Sequence, residues 1–181
     1  SEYRIPERQS VLSITSDYVR LGVEHILSGW AHLLFILGLV LLVGRGRALL
    51  WTITAFTAGH SITLGLAALG IVRFSPGPIE AVIAFSIYLL AIELVRSQRG
   101  LWTLMQRMPW VVAGTFGLLH GLGFAGALRE VGLPEGEIPL ALLSFNLGIE
   151  LGQLFFVAVV IAGWWAVGAA PFSWPNWMRY V

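Results

Sequence analysis

The chain of 181 residues has no cysteine, and all eleven of its basic residues are arginine. Without thiols there are no disulfides and no thiolate metal sites. Methionine is scarce as well: Met105, Met108 and Met178 fall near helix ends or in spacers, which argues against a soft copper(I) site built from sulfur. Charged residues make up 12% of the chain and the net charge is +1, with no basic stripe, so nucleic acid is not an expected partner. No Gly-x4-Gly-Lys-Ser/Thr loop is present, which argues against direct nucleotide drive from this chain, and there is no His-Glu-x-x-His run of the metalloprotease type. The water-facing spacers contain no histidine.

What remains is apolar. The chain is 57% hydrophobic, with a mean hydropathy of +0.80, well beyond the balance of a soluble domain. Five stretches, near 19–43, 48–72, 78–97, 109–129 and 138–168, reach the roughly 20 residues a helix needs to cross a bilayer. The fold class expected is therefore all-α, a polytopic transmembrane bundle of about five helices. It would consist of an extracytoplasmic segment at 1–18, a membrane domain at 19–168 and an interfacial tail at 169–181. Arg45 and Arg47, and Arg96, Arg99 and Arg107, occupy two spacers that hold no acid, whereas the other spacers carry only Arg73 and Arg129. The positive-inside bias puts the first pair of spacers in the cytoplasm and the N-terminus outside, in a bacterial inner membrane. Residues 1–18 have no apolar signal-peptide core, so an upstream leader removed before Ser1, or a fragment, is expected. Trp174, Trp177, Arg179 and Tyr180 read as interfacial anchors, with a sixth helix expected after Val181.

Against this background the polar residues inside the spans stand out. An ionisable group at mid-bilayer costs about 2.5–3.5 kcal/mol on insertion scales and marks a functional site by default. All four histidines lie in such stretches: His25 and His32 in the first, with Glu24 and Ser28, His60 in the second, and His120 in the fourth, while the fifth holds Glu150. On a continuous helix His25 and His32 share one face two turns apart, and Glu24 borders the same cavity about 100° round. Thr57, His60, Ser61 and Leu64 follow one helical flank, and Asn146, Glu150 and Gln153 form one stripe. Such a stripe must face other helices or water, because hydrocarbon offers no partner. Glu80 and Glu93 lie near helix ends and read as solvated. The glycines of the fourth stretch, Gly114, Gly117, Gly121, Gly123 and Gly126, read as a packing seam. Phe-x3-His recurs at Phe56–His60 and Phe116–His120 as a candidate internal repeat.

Imidazole with carboxylate suits nickel, cobalt or zinc. The candidate metal residues are therefore His25, His32, His60, His120, Glu150 and Glu24, with Ser28, Thr57, Ser61, Asn146 and Gln153 supporting them. His25 and His32 would form an entry site, and His60, His120 and Glu150 a deeper one. The divalent ion is substrate or ligand, and no organic cofactor, catalytic residue or enzymatic activity is expected. Partners are the lipid bilayer and the cation, with other membrane subunits under the scaffold reading below.

Four ordered motifs carry a resemblance. Gly22-Val23-Glu24-His25-Ile26-Leu27-Ser28-Gly29-x-x-His32-Leu33-Leu34-Phe35 resembles the first-helix motif of the HupE/UreJ family of hydrogenase and urease accessory membrane proteins. Phe56-Thr57-x-Gly59-His60-Ser61-x-Thr63-Leu64 resembles its second-helix motif. Phe116-Gly117-Leu118-Leu119-His120-Gly121-Leu122-Gly123-Phe124-Ala125 and Phe145-Asn146-x-Gly148-x-Glu150-x-Gly152-Gln153 resemble later ones. The likeness runs from about Tyr18 to Val160. It implies a nickel or cobalt permease, with a metal-transport role for His25, His32, His60, His120 and Glu150. The family pattern usually has an aspartate immediately before the second histidine, and here Ala31 stands there, after Trp30. That loss removes a ligand or tautomer-fixing acceptor and keeps two alternatives open. One is a non-catalytic subunit of a larger membrane complex that kept the scaffold and lost transport. The other is a zinc-dependent intramembrane hydrolase built on His60, His120, Glu150 and Ser61.

Overall fold

A computed structural model describes residues 10–44, 46–72, 75–131 and 137–169, and among them the regular structure is all helix. The expected interfacial tail at 169–181, apart from Ala169, lies outside them, as do Arg45 and Arg73. Among the described residues seven helices follow in order: α1 Val11–Ser28, α2 Trp30–Val43, α3 Arg47–Ala68, α4 Pro76–Gln98, α5 Leu104–Arg107, α6 Pro109–Val131 and α7 Ile138–Ala169. The helical membrane architecture expected from the sequence is present. Among the described residues, α3, α4 and α7 are each long and apolar enough to cross a bilayer, and α1 with α2 makes a fourth span if the bent pair is one crossing. α6, at 23 residues, also has the length of a span.

The expected first span is broken. α1 begins at Val11, inside the segment expected to precede the membrane domain, and the chain bends by 75° between α1 and α2. Gly29 is the break: its backbone is extended, at φ −83° and ψ 92°, and its N–H closes α1 on the His25 carbonyl. Glycine favours this because it has the poorest helix propensity after proline. It also leaves room, since a Cβ at Gly29 would stand 2.7 Å from His32 Nδ1. α2, at 14 residues, is only about 21 Å long and too short to cross alone. It runs through the middle of the bundle and contacts α1, α3, α4, α5 and α7. Phe35, Ile36 and Leu39 on α2 are fully buried, with Phe56 and Phe145 from its neighbours.

Two close helix pairs frame this centre, α3 with α6 and α1 with α7. Each seam is made by reciprocal glycines. A Cβ at Gly59 would strike the Gly114 carbonyl, and one at Gly117 the Phe56 carbonyl. Likewise a Cβ at Gly22 would strike the Phe145 carbonyl, and one at Gly148 the Val19 carbonyl. In all four helices the struck carbonyl lies three residues before a glycine, so both pairs interlock in the same register. Small residues are what let backbones come this close in a bilayer. The seams also equate segments. Gly22-x-x-His25 on α1 matches Gly117-x-x-His120 on α6, and Phe56-Thr57-x-Gly59 on α3 matches Phe145-Asn146-x-Gly148 on α7. This correspondence differs from the Phe-x3-His recurrence, whose two copies lie on α3 and α6, helices that pack against each other.

The turns are locally determined. Gly70 and Gly100, both at φ 75°, end α3 and α4 in paired backbone hydrogen bonds from Gly70 N to Ala67 O, Ile71 N to Leu66 O, Gly100 N to Ser97 O and Leu101 N to Arg96 O. Thr103 and Gln106 form a reciprocal cap on α5. Glu93, read from sequence as solvated, instead accepts a 2.8 Å bond from Met105 N, satisfying a free N–H of α5's first turn. Glu80 is exposed. The six described tryptophans are all exposed, Trp30 among them at 79%, so its ring faces outward and does not fill space beside His32.

Candidate metal centre

The four histidines converge at the centre of the bundle. The His32 ring lies 5.0 Å from His25, 6.1 Å from His60 and 5.0 Å from His120, centre to centre, and His25 lies 6.1 Å from His60. The break at Gly29 makes this possible. It turns α2 so that His32, on a different helix from His25, points back into the same space. The expected continuous face is therefore corrected: the two rings meet across a bend, and the separate entry and deeper groups of histidines are one cluster. Phenylalanines enclose it, with Phe35 at 5.4 Å and Phe56 at 5.2 Å from His120, and Phe145 at 5.6 Å from His25. His60 is 0% exposed and His120 1%.

Buried polar atoms normally have hydrogen-bond partners, and exceptions call for an explanation. Here His32 Nε2, both ring nitrogens of His60 and His120 Nδ1 are buried without one. Their spacing suits a shared ligand. At a metal–nitrogen distance of about 2.0–2.1 Å, an imidazole centre sits about 3.2 Å from the ion, so two rings would be about 5.2 Å apart in tetrahedral geometry and about 6.4 Å when opposite. Ligands at right angles would stand about 4.5 Å apart, and the observed 5.0–6.1 Å lies between these limits. The orientation is not yet that of a closed site. Among the described residues no group of three or more His, Asp or Glu side chains is arranged to hold a metal ion as it stands.

The glutamates are not in the cluster. Glu24 turns outward and pairs with Arg20 at 2.7 Å, its side chain 57% exposed, so it does not border the cavity. Glu150 is half-buried and accepts a 2.6 Å bond from Thr54 on α3. Thr54 precedes His60 by six residues, about 9 Å along the helix axis. One turn on, Thr57 donates to Gln153 Oε1 at 2.9 Å. The stripe on α7 thus faces α3, as hydrocarbon requires, but forms a polar seam there. The other supporting residues look after their own helices. Ser28 donates to His25 O, Ser61 to Thr57 O, and Asn146 to Leu142 O. One contact to an imidazole comes from Ser86 on α4, whose Oγ lies 3.0 Å from His120 Nε2. Sequence reading missed it, because a lone serine in an apolar helix carries no periodic signal.

The HupE / UreJ protein family model matches residues 2–180. The chain belongs to the HupE/UreJ family. The match takes in all four histidine-bearing segments and the α7 stripe, and with its apolar helices this member is a membrane protein. No curated protein and no solved structure matches it significantly.

Proposed function

We propose that this HupE/UreJ protein carries a divalent transition-metal cation, nickel or cobalt, through the bilayer by way of the four-histidine cluster. The observation that carries this reading is the set of buried, unpartnered imidazole nitrogens on α2, α3 and α6, gathered within ligand-sharing distance. A packing role would leave those nitrogens as a net cost, since each buried polar atom without a partner loses about 1–3 kcal/mol of solvation. Imidazole is a good ligand for nickel, cobalt and zinc, and a poor one for magnesium or calcium. Rotation of rings already 5.0–6.1 Å apart is the small change needed to close around an ion. Glu150, beside Thr54, is then a separate carboxylate on the approach or exit, and the membrane orientation is N-terminus outside.

Two observations favour a second reading, a scaffold subunit without transport: Ala31 stands where the family pattern usually has an aspartate before His32, and Glu24 and Glu150 face away from the cluster. The hydrolase reading gains nothing, since Ser61 is bonded to its own helix and Glu150 is held by Thr54. The discriminating experiment is nickel and cobalt flux into proteoliposomes of the purified chain. Flux that is lost in His32→Ala and His60→Ala, with helix content intact, supports the permease. A wild-type protein with no flux, purifying with a stoichiometric membrane partner, overturns it in favour of the scaffold.

A further inference from the structure

Ser86 is 1% exposed, and its hydroxyl oxygen has two close neighbours. One is the Ile83 carbonyl oxygen at 2.6 Å, and the other is His120 Nε2 at 3.0 Å. A hydroxyl has one hydrogen to give, and a carbonyl oxygen can only accept. Two oxygens 2.6 Å apart with no hydrogen between them would repel, whereas that distance is normal for an O–H···O bond. The Ser86 hydrogen therefore goes to Ile83. Toward His120, Ser86 is an acceptor, and the ring must supply the hydrogen from Nε2. In a neutral imidazole the other nitrogen then carries the lone pair. That nitrogen, Nδ1, is buried and unpartnered, and its ring lies 5.0 Å from that of His32.

We propose that Ser86 is a positioning residue that fixes His120 as the Nε2–H tautomer and presents Nδ1 as its donor atom to the cation in the histidine cluster. The role toward the cation rests on the metal reading above; the tautomer itself does not. Metal-binding histidines usually give their second N–H to a carboxylate, a backbone carbonyl or water, which fixes the ring and raises its basicity. Here the acceptor is a neutral hydroxyl, tied in turn to a backbone carbonyl. It sets the ring's orientation and adds no negative charge. With Glu24 turned outward and Glu150 beside Thr54, the cation would meet uncharged donors only. A site of that kind takes ions that bind imidazole well and releases them readily, which suits passage better than storage.

The test is nitrogen NMR of histidine-labelled, metal-free protein, followed by nickel titration of the same samples. In the wild type, His120 is expected to show a hydrogen-bearing Nε2 and a bare Nδ1. Ser86→Ala is expected to mix the tautomers and weaken nickel binding about tenfold, at the low end of the effect of losing such a partner. Ser86→Thr, which keeps the hydroxyl, is expected to restore both. A wild-type His120 carrying its hydrogen on Nδ1, or a tautomer unchanged in Ser86→Ala, overturns the proposal. The expected tautomer in a protein that binds no nickel overturns the metal half of the proposal together with the cluster reading, while the Ser86–His120 geometry stands.

Discussion

Replacing Gly117 by alanine tests whether the helix seams hold the site together. The added methyl would run into the Phe56 carbonyl of α3, and its next nearest neighbours are also Phe56 backbone. Nothing flexible can yield, so α3 and α6 must part. Overpacking costs about 1–3 kcal/mol, and a backbone-on-backbone clash belongs in the upper half of that range. The better helix propensity of alanine returns about 1 kcal/mol, leaving a net loss of about 1–2 kcal/mol. Gly65 is the control. It lies on the same α3 helix, and a Cβ added there would have nothing within 4 Å, so Gly65→Ala should be neutral or stabilising by up to about 1 kcal/mol. Pairing separates the seams further. Gly59 faces the Gly114 carbonyl on the same seam, so Gly59→Ala with Gly117→Ala should cost less than the sum. Gly148 faces Val19 on the other seam, so Gly148→Ala with Gly117→Ala should add within about 0.5 kcal/mol. The assay is reversible unfolding of the purified protein in detergent, followed by helix content. A Gly117→Ala protein as stable as Gly65→Ala would refute the seam.

Other expectations follow from the same geometry. Arg20→Ala and Glu24→Gln break an exposed pair, so each should leave the unfolding midpoint essentially unmoved and nickel affinity unchanged in titration calorimetry. Glu150→Gln keeps an oxygen for the Thr54 hydroxyl and lies off the histidine cluster. It should leave nickel affinity within about twofold, because no ligand is lost, while a flux assay reports whether the carboxylate serves the path. Ala31→Asp puts a carboxylate beside His32 and should tighten divalent binding by about tenfold or more, read by the same titration.

Much of the outline was legible in the sequence because bilayer length and composition are local properties. The apolar runs located α3, α4, α6 and α7, and the cost of a buried imidazole singled out the four residues that do converge. What was not legible depended on direction. Whether residues 19–43 form one helix or two turns on Gly29, whose extended backbone is set by closing α1 and making room for His32. Glu24 sits next to His25 in sequence, yet a step of about 100° round the helix sends it to Arg20. Glu150 and Gln153 were correctly joined in one stripe, but which helix they face depends on how α3 and α7 meet. Ser86 had no sequence signal, since its role arises from a ring on another helix.

The most direct measurement is X-ray absorption of the purified chain loaded with one equivalent of cobalt or nickel, on wild type and on His60→Ala. The account predicts imidazole scattering from at least three nitrogens in the wild type, and loss of high-affinity binding in the variant. Metal held mainly by oxygen, or bound equally well without His60, would contradict it.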